Sequence, residues 1–363
     1  MAKVLLFYIN AIHEGGAERV IIQLAKHFAE NGYKSILVTS FIDKNEYIVP
    51  ENVIRLSLEG NVILQSRLKK NIFRIVSLRR LCKKYNPVAV ISFMAEPNYR
   101  AILATFGLPT KTVISVRNDP QKEYAGKLGH FLASHLLPMA DGCVFQTDEA
   151  KRWFSLKLQR KSRVIFNDVD PVFFKTEYVG GKDIVALGRL TEQKNHEMLI
   201  KAFKTVHDKY PKEKLKIYGN GHLQNTLKQL IKELDLSDVV ELAGLTTNAP
   251  EVLAHCKQFV LSSDYEGMPN ALMEAMAIGV PSISTDCPCG GPKMLIENEV
   301  TGLLTPVGDS RALADAMMKY LSNESLAITI GKNAREQANK YKSDAIFLEW
   351  KDFVESIICQ HNP

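Results

Sequence analysis

Apolar residues along this chain fall in short unbroken runs, each followed by a turn and then by a longer segment whose apolar positions recur every three or four residues. KVLLFYIN (3–10) runs into the glycine turn HEGG, then into AERVIIQLAKHFAENG (17–32) and the run SILVTS (35–40). Such a sequence predicts strand, turn, helix and strand, with the glycines at the carboxyl end of the first strand. VAVISF (88–93), KTVISV (111–116) and GCVFQT (142–147) predict further strands separated by helical stretches. The pattern then restarts. DIVALGRL (183–190) and KLKIYGNG (214–221) each lead through a turn into a helix, and VVELAG (239–244), QFVLSS (258–263) and PSISTD (281–286) are short buried-type strands.

Continuous apolar runs, rather than alternating ones, predict strands covered on both faces, hence α/β architecture with parallel sheets. Two successive units of similar size predict two Rossmann-like domains. The expected boundaries are 1–170 and 171–343, with the join near Pro171 and Gly180–Gly181, and a last helix in 344–363 that is free to pack back on the first domain. Ligands of open α/β sheets sit beyond the carboxyl ends of the strands, so the chemistry is expected in strand-end loops.

Composition narrows this. The 363 residues are 46 % hydrophobic and 24 % charged, as in ordinary soluble proteins, and the length favours two domains. No apolar run is long enough to span a membrane, and the N-terminus reads as a first strand rather than a signal peptide. Six scattered cysteines suggest a reducing, cytoplasmic setting. Cys287-x-Cys289 has no partner pair at zinc-like spacing, so no metal is expected. Charge is uneven: residues 1–170 hold 25 Lys/Arg and 15 Asp/Glu (+10), the remainder 21 and 25 (−4). An anionic partner of the first half is implied.

SSDYEGMPNALMEAMAIGVPSIST (262–285) concentrates the candidate chemistry. Pro269 is placed to open a helix, and the first-turn amides around Asn270 and Ala271 form an anion site. Glu274, one turn in, suits two vicinal hydroxyls such as a ribose offers; Glu266, in the loop, suits a sugar on the other side of a phosphate. In GRLTEQKN (188–195), Gly188 permits the turn while Arg189 and Lys194 bracket the next helix start, two cations able to neutralise a diphosphate in place of a metal. A solvated loop with two ordinary charges is the other reading. Gly15 and Gly16 permit close backbone approach before a helix, and Gly219-x-Gly221 is a weaker glycine pair. Neither half has the complete G-x-G-x-x-G of a nicotinamide site, so no cofactor is expected.

Taken together, GGAER, GRL…QKN, GNG and E-G-M-P-N-A-L-M-E-A-M-A-x-G-x-P resemble the retaining glycosyltransferases of family 4, over essentially the whole chain. The resemblance implies a GT-B fold, with two Rossmann-like domains facing a deep cleft. It implies Arg189 and Lys194 on the diphosphate, Glu274 on the ribose and Glu266 on the donor hexose. The amides of Met268, Pro269's successor Asn270, Ala271 and Gly15–Gly16 would lie around phosphates and sugar, with Gly188 and Gly219 shaping the donor site. SVRNDP (115–120) stands where many members have a histidine, so Arg117 and Asn118 are expected to contact donor or acceptor. In GGPK (290–293), Lys293 replaces the acid of many members. With no nucleophile in evidence, the expected mechanism is front-face displacement with retention.

SRLKKNIFRIVSLRRLCKKY (66–85) carries eight Lys/Arg and no acid, with Leu68, Ile72, Ile75, Val76 and Leu81 roughly on one stripe. It reads either as a helix lying on anionic lipid or as a core-packing helix with a solvated basic face. Stacking aromatics are not interleaved through its basic residues, which disfavours nucleic acid. The expectation is an enzyme moving a hexose or N-acetylhexosamine from a UDP-sugar to a lipid-linked glycan of a bacterial surface polymer, at the inner face of the cell membrane. The UDP base follows from the resemblance alone. A nucleotide-sugar epimerase of the same fold and a non-catalytic nucleotide-sugar-binding membrane scaffold are the alternatives.

Overall fold

The computed structural model describes residues 2–13, 15–43, 46–60 and 66–359. The chain divides into two compact units, Met1–Asn167 with Asp344–Pro363, and Asp168–Ser343.

The first unit holds β1 (Val4–Ile9), β2 (Lys34–Thr39), β3 (Ile54–Ser57), β4 (Ala89–Phe93), β5 (Lys111–Ser115), β6 (Gly142–Phe145) and β7 (Ser162–Val164), all parallel, in the order β3-β2-β1-β4-β5-β6-β7. Strands β1, β4 and β6 are apolar on both faces because helices cover both faces. One covering helix comes from the far end of the chain. Helix Ser343–Ile358 buries Ile346, Phe347, Trp350, Phe353, Val354 and Ile357 in this unit's core. Trp350 stacks on Phe93 at 5.7 Å and Tyr33 donates to Glu355 at 2.7 Å. At about 2 kcal/mol per buried side chain, this docking is a major term in the unit's stability. Gly142 makes room for it: a Cβ there would stand 2.2 Å from Ile357 Cδ1.

The second unit holds β8 (Asp183–Leu187), β9 (Lys214–Tyr218), β10 (Val240–Gly244), β11 (Cys256–Leu261), β12 (Ser282–Thr285) and β13 (Leu303–Thr305), parallel in the order β10-β9-β8-β11-β12-β13. Strand order reverses direction at β1/β4 in one sheet and at β8/β11 in the other, the positions where open α/β sheets form crevices.

Helix Arg67–Tyr85 divides the apolar stripe expected of it. Leu78 and Cys82 are buried, with Ile75 and Leu81 packed beside them against β1, β2 and β4, whereas Leu68, Ile72 and Val76 are exposed. Residues 68, 72 and 76 recur every four positions, so they drift around the helix away from the core-facing side.

Candidate functional site

In the second unit the β8/β11 crossover brings two loops side by side. After β8, Gly188 donates to Tyr218 O at 2.9 Å and Leu190 to Asn220 O at 2.9 Å, fastening this loop to the glycine turn after β9. The approach needs glycine. Gly219 has φ +145°, and a Cβ on it would lie 2.0 Å from Gly188 O; one on Gly221 would lie 2.2 Å from Leu190 O. Arg189, between these anchors, is exposed, and its guanidinium has no ion pair among the described residues.

Lys194 closes a single 3-10 turn, and its alkyl stem passes over Gly188, 3.2 Å from where a Cβ would stand. Asn195 takes φ +41°, caps helix His196–Lys209 by accepting from Met198 N at 3.0 Å, and donates to Asp264 at 2.7 Å. Asp264 N donates to Gln193 O at 2.9 Å and Ser262 Oγ to Lys194 O at 2.8 Å. The loop after β11 is thereby fastened to the loop after β8.

This brings Lys194 and Glu266 together. Lys194 Nζ lies 2.5 Å from Glu266 Oε1, which also accepts from Ser263 Oγ at 2.6 Å. Among the described residues, Glu266 Oε2 has only a long contact, 3.4 Å, from Gln193 Nε2. Glu266 is 5 % exposed, and its backbone exchanges bonds with Pro288 O (2.7 Å) and Cys289 N (3.0 Å). A Cβ on Gly291 would sit 1.8 Å from Gly267 O, so the GGPK turn abuts the EGMP loop. Lys293 is exposed and reaches Asp286 at 3.4 Å.

Pro269 is the N-cap of helix Asn270–Ile278, one residue ahead of the helix start that its sequence position suggests, and its carbonyl accepts from Leu272 and Met273. The amides of Asn270 and Ala271 precede these and have no acceptor within the helix. Met268 is buried; Glu274 is half-buried one turn in. Gly279 ends the helix at φ +95°, and Arg335 donates to Ile278 O, Thr176 O and Phe174 O at 2.8–3.0 Å, fixing its far end. His196 lies beneath Gly188, with Nε2 3.3 Å from its carbonyl. Burial pushes this imidazole down to about 4, so it is neutral near pH 7.

In the first unit, Gly15 is the extended N-cap of helix Gly16–Glu30. The Glu18 carboxylate lies against it, 2.3 Å from where a Cβ would stand, and His13 is 3.8 Å from Glu18 and 3.9 Å from Asp43. Arg117, after β5, is 7 % exposed, with its guanidinium 4.4 Å over the Phe93 ring and Nη2 2.5 Å from Asn167 Oδ1. Gln146, after β6, donates to the same Asn167 oxygen at 2.7 Å. Asn118 is half-buried and accepts from Asp119 N at 2.9 Å. Gln193 and Ser263 lie within the stretches 188–195 and 262–285 but are not singled out by them, and Asn167 lies outside every motif; only the proximity of separate strand ends reveals them.

Two family models match the chain: Glycosyltransferase Family 4 over residues 14–173 and Glycosyl transferases group 1 over residues 171–337. A glycosyltransferase of Methanocaldococcus jannaschii is 29 % identical over 343 residues, covering 78 % of this chain and 83 % of that protein. The N-acetylgalactosamine-N,N'-diacetylbacillosaminyl-diphospho-undecaprenol 4-alpha-N-acetylgalactosaminyltransferase of Campylobacter jejuni is 28 % identical over 352 residues, covering 92 % of this chain and 94 % of that protein. Among solved structures, Anabaena HepE in complex with UDP-glucose superposes with a TM-score of 0.84 at 18 % identity, covering 97 % of this chain and 99 % of that one. At that identity the likeness carries the fold.

Proposed function

The chain belongs to the GT-B glycosyltransferases that the family 4 and group 1 models describe, and from that premise we propose that it moves a hexose or N-acetylhexosamine, with retention, from a UDP-sugar to a lipid-linked or polysaccharide acceptor of a cell-surface glycan. The observation that carries this reading is the part-buried Lys194–Glu266 pair in the loops that also hold the exposed Arg189 and the start of helix Asn270–Ile278. Cations and helix amides on one side of a carboxylate suit a ligand that is anionic at one end and hydroxylated at the other.

Arg189 and Lys194 hold the diphosphate and stabilise its charge as the bond from the anomeric carbon to the phosphate oxygen breaks. The helix amides at Asn270 and Ala271 share that task, with Met268 and Pro269 shaping the loop; Glu274 takes the ribose hydroxyls. Glu266, with Oε1 held by Lys194 and Ser263, offers Oε2 to the hexose. The acceptor oxygen attacks the anomeric carbon from the face the diphosphate leaves, and its proton passes to the departing phosphate oxygen. Alignment and leaving-group stabilisation are the protein's contribution. Gly15, Gly16, Arg117 and Asn118 supply sugar or acceptor contacts from the first unit, and Gly188 and Gly219 shape the donor loop.

The acceptor's lipid has a counterpart in helix Arg67–Tyr85. Its exposed Leu68, Ile72 and Val76 are flanked by Lys69, Lys70, Arg80 and Lys83, which have no ion pairs among the described residues. That pattern suits an anionic leaflet at the inner face of the cell membrane; no helix among the described residues is long and apolar enough to cross it. The relative acting on a diphospho-undecaprenol glycan gives this acceptor class its support.

The test is calorimetry with UDP, GDP and NAD in chelator, followed by UDP-sugar turnover. UDP binding that is lost in Arg189→Ala, and weakened in Glu274→Ala, is expected; Glu266→Gln keeps UDP affinity within about threefold, since the removed carboxylate opposes the phosphate, but loses transfer. Equal UDP affinity in wild type and Glu274→Ala removes the ribose assignment.

A further inference from the structure

We propose that Asn167 is a positioning residue of the transfer reaction: its Oδ1 fixes the Arg117 guanidinium at the carboxyl end of β5, and Gln146 fixes the orientation of the Asn167 amide. The proposal rests on the transferase reading above, which gives Arg117 a sugar or acceptor contact, and it adds two residues that stand in no candidate motif.

The three side chains come from three neighbouring strand ends. Arg117 follows β5, Gln146 follows β6 and Asn167 follows β7, and these strands lie side by side in the sheet. Phe93, the last residue of β4, supplies the ring 4.4 Å from the guanidinium carbon. Open α/β sheets take their ligands at these ends. Backbone bonds hold the strand ends together, Val116 N to Val144 O at 3.0 Å and Ile165 N to Phe145 O at 3.0 Å. Arg117, Gln146 and Asn167 are all buried, so a hydrogen bond lost among them is not replaced by bulk water.

Donor and acceptor chemistry fixes both amides. A guanidinium has donors only, so the Asn167 atom 2.5 Å from Arg117 Nη2 is its oxygen. The same oxygen is 2.7 Å from the Gln146 amide, which therefore presents its nitrogen. Gln146 Oε1 is left buried with no hydrogen-bond partner among the described residues. Burying an acceptor in that state costs stability, and an apolar side chain of similar length would avoid the cost. What glutamine provides and methionine would not is the N–H that keeps the Asn167 oxygen turned toward Arg117. The guanidinium is thus confined by a ring face and an amide oxygen, with its fork set before a ligand arrives.

The experiment uses the full chain with UDP-glucose, UDP-N-acetylglucosamine and UDP-N-acetylgalactosamine in two arms. One follows UDP release in water alone; the other adds an undecaprenyl-diphosphate-linked N-acetylhexosamine. Wild type, Asn167→Ala, Arg117→Met and the double variant form one cycle. Asn167→Ala is expected to lose about 10- to 100-fold in kcat/KM, and Asn167→Asp, which keeps the oxygen, to recover most of it. Calorimetric UDP affinity should stay within about twofold, because the nucleotide contacts proposed above lie in the second unit. In the Arg117→Met background, Asn167→Ala should cost nothing further. A loss in both arms assigns Arg117 to the donor sugar, and a loss confined to the second arm assigns it to the acceptor.

Asn167→Ala as active as wild type, or losses that simply add, overturns the proposal and leaves the transferase reading intact, since a packing role does not depend on the arginine. Arg117→Met equal to wild type in both arms overturns it together with the Arg117 contact. If Asn167→Ala does not fold, Gln146→Met asks the same question. Its expected loss is about 3- to 10-fold and vanishes in the Arg117→Met background; no loss, or one that persists there, overturns the proposal. No UDP release from any donor by wild type removes the transferase reading and this role with it.

Discussion

Removing Lys194 alone should cost more than removing both charges of the Lys194–Glu266 pair together. The side chains are 15 % and 7 % exposed. Lys194→Met leaves the Glu266 carboxylate with Ser263 and one long contact from Gln193. Breaking a fully buried pair costs about 3–5 kcal/mol. Water reaching the lysine end reduces that to about 2–3 kcal/mol here. Glu266→Gln keeps an oxygen for Ser263 and Lys194, and the partly solvated ammonium tolerates it, for about 1–2 kcal/mol. In the double variant neither charge is stranded, so its loss should barely exceed that of Glu266→Gln. The coupling energy is then about 1–3 kcal/mol.

The assay has to observe the second unit. Both tryptophans, Trp153 and Trp350, lie in the first, so intrinsic fluorescence does not see the pair. Two units also break the two-state assumption for the whole chain. Hydrogen exchange of β8 and β11 amides in a urea series reads the relevant free energy for wild type, the two single variants and the double. Additive losses, within about 0.5 kcal/mol, would refute the view that these charges act as a unit, and with it the claim that the carboxylate is held by the lysine.

The two units should respond to pH in opposite directions. His196 is depressed from 6.5 to about 4, so the stability it contributes is complete above pH 6.5 and is lost as pH falls toward 4, by at most about 1.4 kcal/mol per pH unit; His196→Gln should flatten that loss in exchange measurements on β8. Glu123 is raised from 4.5 to about 7, so the first unit should weaken as pH rises from 4.5 to 7, and Glu123→Gln should be the more stable protein at pH 8 by tryptophan-monitored urea melts. Gly219→Ala combines φ +145° with a Cβ 2.0 Å from Gly188 O and should cost about 2–4 kcal/mol. Gly180→Ala, at φ +78° with nothing within 4 Å, should cost about 1 kcal/mol, and equal losses would show that the close approach is immaterial. Ile72→Glu with Val76→Glu should reduce cosedimentation with phosphatidylglycerol vesicles about tenfold without lowering the melting temperature, and a wild type that does not sediment would remove the membrane reading.

The fold was legible where burial on both faces made the sequence plain. Strands such as β1 and β4 are unbroken apolar runs because helices flank them, and their glycine-ended turns mark the parallel crossovers. Short edge strands were not legible. β3 (IRLS), β7 (SRV) and β13 (LLT) are three or four residues long, and β3 and β7 have no buried residue. What makes them strands is an already formed neighbour offering hydrogen bonds. Helix Arg67–Tyr85 misled in a different way. Its apolar residues belong to two faces, one against the core and one exposed, and a periodicity argument merges faces that a core separates.

The candidate site divides along the same physical line. Glycines read in part: Gly188 reads as a turn, Gly219 only as one of a weak pair and Gly291 not at all, although a backbone approach such as Gly219 on Gly188 or Gly291 on Gly267 excludes every side chain. Charged residues in strand-end loops read as candidates, because parallel sheets present those loops together. Their pairing did not read. Lys194 and Glu266 are separated by β9, β10 and β11 along the chain, and they meet because β11 inserts beside β8 rather than beside β10. That insertion is decided by which apolar faces bury best, a property of the whole sheet. It also has a chemical consequence for the proposed reaction. The lysine that is to meet a diphosphate is already balanced by a carboxylate, whereas Arg189 is not. An anion is therefore drawn first by Arg189, and Lys194 engages fully only when a ligand also satisfies Glu266 with hydroxyls. A bare diphosphate satisfies one half of that arrangement and a nucleotide sugar satisfies both, which makes discrimination between them a property of the pair rather than of either residue.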